Sequence, residues 1–190
     1  MQIRLGLMLL LVAIGSCASR PAPPAHEIFD EQTASTLTVV SKPLVFARER
    51  SDVEAHARDY ATLVAVEIDM SGQFREFLLL YRWSTVDRRM SPPPQPSEGA
   101  LRILADGRAI DLQPMAQLPV SMKQSRDLHV PAHGDVVPRA YRVDTELLRS
   151  IAASRELMLR MPQEQLNLPF ALWEDGRGAL ANFVHSVNAP

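Results

Sequence analysis

Between residues 61 and 83, two alternating apolar runs flank a four-residue turn, and no other feature constrains the fold as much. Val64, Val66 and Ile68 share one face of the first run; Phe77, Leu79, Tyr81 and Trp83 share one face of the second. A period of two is the signature of strands. Met70-Ser71-Gly72-Gln73 supplies the turn, with Gly72 free to take a positive φ. The opposite faces carry Leu63, Ala65, Leu78 and Leu80. A strand pair that is apolar on both sides belongs in the middle of a covered sheet.

The flanking segments extend this pattern. Residues 36–40 and 43–47 are β-prone runs broken by Ser41-Lys42-Pro43, and Ser51 with Glu54 has the form of a capping box that predicts a short helix over 52–58. Asp106-Gly107 is the preferred pair for a type I′ turn and sits at the tip of a second hairpin over 101–112. Pro92-Pro93-Pro94-Gln95-Pro96 reads as a stiff loop, and residues 113–139 as a long irregular one. Asp144 or Thr145 can cap a helix over 145–153, and strands follow over 157–161 and 168–173. Leu180, Phe183, Val184 and Val187 then form the stripe of a closing helix. The expectation is an α+β fold: mainly antiparallel β-sheet in sandwich-like hairpins, with one short and one C-terminal amphipathic helix. It forms a single domain over residues 36–190.

Residues 1–17 carry a different message. Arg4 precedes Leu5 to Ile14, a ten-residue apolar run. At ~1.5 Å per residue such a helix reaches roughly 15 Å, about half a bilayer core, so it is a secretory leader and not a membrane span. Ile14-Gly15-Ser16-Cys17 follows, and Cys17 is the only cysteine of the chain. This tetrad resembles the lipobox of bacterial lipoproteins, an aliphatic residue and two small ones before cysteine. The resemblance implies that residues 1–16 are a signal peptide, that Cys17 receives a diacylglycerol on its sulfur, and that its freed amine is acylated. Several buried acyl chains, at about 0.8 kcal/mol per methylene, anchor a protein stably where one does not. Ala18 stands where an aspartate favours inner-membrane retention in enterobacterial lipoproteins, so the resemblance points to the outer membrane, facing the periplasm. Residues 17–35, rich in Pro, Ala and polar groups, read as the lipidated cysteine and a tether reaching up to ~50 Å.

Loss of the leader removes Arg4 alone and takes the formal charge from -2 to -3. A nucleic-acid partner is not expected, because wrapping phosphates needs an excess of Lys and Arg. A lone cysteine excludes an internal disulfide and multi-cysteine zinc sites. No G-x-S-x-G elbow, Walker loop, G-x-G-x-x-G turn or H-E-x-x-H helix occurs. The reading therefore leans away from an enzyme, with no catalytic residue assigned and no cofactor implied. The expected role is a membrane-anchored binding or accessory module in envelope assembly or maintenance, its partners the bilayer and an envelope protein or peptidoglycan.

An alternative uses His129, His133 and Asp135, whose donor atoms suit zinc or copper if a loop brings them together; Pro131 between the histidines argues against a helix there. Glu174-Asp175 pairs two carboxylates, as a glycosidase would need, yet the end of a strand turning into a helix explains them better. Trp83 and Trp173 read as core or interface residues that could also stack on sugar.

Overall fold

The computed structural model describes residues 25–86, 99–124, 128, 138–162 and 168–187. In chain order the elements are strands β1 (Ala25–Asp30), β2 (Ser35–Val40), β3 (Leu44–Glu49), β4 (Arg58–Met70), β5 (Gln73–Ser84), β6 (Leu101–Ala105) and β7 (Arg108–Leu112). Helix α1 (Val120–Gln124), strand β8 (Arg139–Val143), helix α2 (Thr145–Ala153), strands β9 (Leu157–Arg160) and β10 (Phe170–Glu174) and helix α3 (Arg177–Val187) complete the series. Every strand pairing is antiparallel, and the strands form a single ten-stranded sheet. A mainly β, α+β fold is therefore observed, but the hairpins join one hydrogen-bonded sheet instead of two separate ones.

The β4–β5 hairpin is its spine, paired from Asp59↔Ser84 to Met70↔Gln73. Residues 61–68 of β4 and 77–81 of β5 are buried on both faces, as their two-sided apolar pattern requires. The far edge of β4 is shared: β3 pairs along residues 58–63 and β2 along 66–69. Between them lies Ser41-Lys42-Pro43, and Pro43 has no amide hydrogen to give a ladder. The sheet forks there, with β1 continuing from β2, and β10, β9, β6 and β7 continuing in turn from β3. β8 occupies the far edge of β5. Just past β7, Pro114 bridges Tyr141, and the Met115 N–H donates to the Ala140 carbonyl at 2.8 Å. The chain following β7 thus meets the free edge of β8, and the sheet curls round on itself.

Residues pointing into the curl, among them Phe46, Leu63, Leu78, Tyr141, Ile103, Leu159 and Phe170, are all buried. α3 packs against α2, β1 and β2, burying Leu180, Phe183 and Val184. Asp144 caps α2 by accepting from the Leu147 N–H at 2.7 Å. Among the described residues no helix is long and apolar enough to cross a membrane.

Three expectations are corrected. Residues 25–30 form strand β1, paired with β2 from Ala25↔Val40 to Asp30↔Ser35, so residues 25–35 belong to the sheet and not to a tether. Residues 51–56 are turns and bends rather than a helix: His56 sits at φ 69°, outside helical space, and Arg50 grips Asp52 through Nε at 2.9 Å. The irregular 113–139 segment contains the short helix α1.

Gly176, joining β10 to α3, lies so close to the fork that a Cβ there would sit 2.3 Å from the Pro43 carbonyl oxygen; at Gly178, one turn position on, nothing lies within 4 Å. Gly176→Ala must displace rigid backbone and is expected to destabilise by about 1–3 kcal/mol. Gly178→Ala, exposed in the first turn of α3, is expected to be neutral or to stabilise by up to ~1 kcal/mol. Urea denaturation of the two variants decides: equal effects would mean that the close approach to Pro43 carries no weight.

Candidate functional site

The outer wall of the curled sheet carries a row of side chains in register across four strands: Ala171 on β10, Ala47 on β3, Tyr60 on β4 and Trp83 on β5. Opposed residues point to the same side of a sheet, so Tyr60 and Trp83 stack, with ring centroids 3.9 Å apart and planes 8° from parallel. The two alanines leave the neighbouring strands low. Beside them the ladder slips: Leu172 faces Phe46 and Glu174 faces Val45, leaving Trp173 as the extra residue of a β-bulge. A bulge re-aims a side chain, and here it brings Trp173 edge-on to Tyr60, 6.3 Å between centroids at 80°. Trp173 remains 52% exposed. The Arg58 guanidinium lies over one face of the Trp173 ring, its carbon 4.7 Å from the centroid, and Arg58 Nη2 reaches Glu49 Oε1 at 3.5 Å.

The opposite side of the same strands is rigidly tied. Arg48 Nε and Nη2 donate to Asp59 Oδ2 at 3.0 and 2.7 Å, and Arg50 Nη1 donates to the same oxygen at 3.0 Å. Arg48 also lies over the Phe170 ring at 4.3 Å. Burial pushes the Asp59 carboxyl up, but the hydrogen bonds from Arg48 and Arg50 outweigh it and hold its pKa below the ordinary value. Arg48 and Asp59 alternate with Ala47, Glu49, Arg58 and Tyr60 along β3 and β4, so fixing the inner pair fixes the shelf outside.

Elsewhere a cleft of about 420 Å³ opens where the start of β5 meets the end of β8 and α2, with Phe74, Leu112 and Leu147 against Glu76, Arg142 and Asp144. Thr145 Oγ1 donates to Glu76 Oε1 at 2.7 Å across its floor. Glu67, opposite Glu76 in the ladder, is buried beside it; that burial, then the charges of Glu76 and Asp69, push its carboxyl up to about 7.

No family model, curated protein or solved structure matches the chain.

The two tryptophans singled out in the sequence are thus brought to one surface, joined by Tyr60. The paired carboxylates part company: Asp175 accepts from Arg177 Nε, Nη2 and backbone N–H, and these bonds hold its carboxyl down to about 2. Asp175 is therefore the anchor of the α3 start. Cys17, His129, His133 and Asp135 lie outside the described residues, and among the described residues no three His, Cys, Asp or Glu side chains cluster so as to hold a metal ion. Sequence reading missed Tyr60, Arg58 and Glu49. The signal was within reach, since Tyr60 continues the alternation of Val64 and Val66 backwards by two steps.

Proposed function

We propose that the chain is a lipid-anchored, periplasm-facing binding module that serves as an accessory in assembly or maintenance of a bacterial envelope, seated in the outer membrane. The observation that carries this reading is the placement of the sole cysteine directly after a short apolar leader, in Ile14-Gly15-Ser16-Cys17. The shelf of Tyr60, Trp83 and Trp173 supports binding as its work: tryptophan, tyrosine and arginine are the residues that concentrate recognition energy, and these stand on a braced sheet. With β1 starting at Ala25, the eight steps from Cys17 span at most roughly 29 Å of extended chain, so the globule would stay near the lipid headgroups.

Labelling with radioactive palmitate, followed by membrane fractionation, tests the anchor. Label and membrane association are both expected in the parent and both lost in Cys17→Ala. A variant that keeps the label and sediments with membranes would overturn the reading.

A further inference from the structure

Building on the envelope reading, we propose that the aromatic shelf seats a sugar ring of a glycan chain, with the Trp173 face that Arg58 leaves open as stacking platform and Arg58 and Glu49 as polar rim. Trp173 is a large apolar ring held half in water by a bulge, an edge contact with Tyr60 and a guanidinium, so its exposure is built in by three separate contacts. What the shelf lacks narrows its occupant. The core of a protein interface is depleted of Glu and Asp, whereas here Glu49 pairs with the Arg58 that lies over Trp173. A polyphosphate or an anionic bilayer surface needs net positive charge, whereas Arg58 here stands paired with Glu49.

A pyranose matches on both counts. Its C–H face carries partial positive charge and lies flat on the negative π face of an indole of similar footprint. Its hydroxyls each donate and accept, and the rim offers guanidinium N–H donors next to carboxylate acceptors.

The full-length chain, purified in detergent, is titrated calorimetrically with the hexamer of N-acetylglucosamine and with cellohexaose. Saturable binding to at least one is expected, with Kd between about 10 μM and 1 mM. Trp173→Ala should weaken it by about tenfold or more, Trp173→Phe by less, and Arg58→Ala by about three- to tenfold; Lys123→Ala, on α1, should leave it unchanged. Trp173 is half exposed, so Trp173→Ala should melt close to the parent, which confirms that a loss of binding is local. The proposal is overturned if the parent binds neither oligosaccharide up to about 10 mM, or if folded Trp173→Ala binds as the parent does. A Trp173-dependent dimer would assign the shelf to a second copy and overturn it equally. Sugar binding does not depend on Cys17, nor palmitate labelling on Trp173, so failure of one reading is distinguishable from failure of the other.

Discussion

Asp59→Ala is expected to cost about 3–5 kcal/mol of folding stability. The side chains of Arg48 and Asp59 are 6% and 9% exposed, and a single carboxylate oxygen takes N–H bonds from both Arg48 and Arg50. Truncating the acid removes the countercharge and the two hydrogen bonds that Asp59 accepts from the Arg48 guanidinium, which stays buried over Phe170. Urea denaturation at neutral pH measures the loss, and a value below about 1 kcal/mol would show that the pair is not what secures β3 to β4. Replacing both partners, Arg48→Met with Asp59→Leu, should recover part of it, because the Arg48 charge goes with that of Asp59 while Arg50 keeps its bonds to Asp52. The pH dependence has a definite sign. Asp59 is held below its ordinary value of 3.8, so its contribution is present above that value and disappears as pH falls through the lower folded pKa. The gap between parent and Asp59→Ala should therefore narrow in acid. Loss of sugar affinity should accompany the loss of stability, since Asp59 sits between Arg58 and Tyr60.

Local rules governed the elements that local forces decide. The β4–β5 turn falls at Ser71-Gly72, both with positive φ, and the β6–β7 turn at Asp106-Gly107 has the same signs. Asp144 caps α2 where the sequence places it, and the α3 stripe of Leu180, Phe183 and Val184 is the buried one. Ser51 and Glu54 misled because a capping box needs helical residues after it, and here the chain must instead return within a few residues to pair Arg58 with Glu49. A strand around Ile28-Phe29 is the weaker sequence reading, set below a tether, because β1 is an edge strand: Ile28 packs on the core, Phe29 is 65% exposed, and prolines precede it, so no alternation shows. The shelf was legible as residue types only. Its assembly depends on β10 pairing with β3 across more than a hundred residues and on a one-residue slip at Trp173, neither of which a local pattern encodes.

Glu67→Gln is expected to stabilise the protein at pH 8 and to leave it nearly unchanged at pH 4. Glu67 is 5% exposed in the middle of β4, facing Glu76 across the ladder, with Asp69 two residues on and Thr38 of β2 on its other side. Glu76 already has a partner in the Thr145 hydroxyl, so its negative charge is tied to this spot by the start of α2. With a folded pKa of about 7 against an ordinary 4.5, the native protein holds a proton that the unfolded chain has released throughout that interval. Stability must therefore fall as pH rises from the lower value to the higher, by up to roughly 3 kcal/mol at about 1.4 kcal/mol per unit. Glutamine imitates the protonated acid and carries no charge to desolvate or repel. The gain from Glu67→Gln should be within about 0.5 kcal/mol of zero at pH 4 and reach about 1–3 kcal/mol at pH 8, read from urea midpoints at the two values. A gain that is the same at both would mean that Glu67 ionises freely in the folded state. In that case Glu76 and Asp69 would have to be screened from it by water reaching the ladder from the neighbouring cleft.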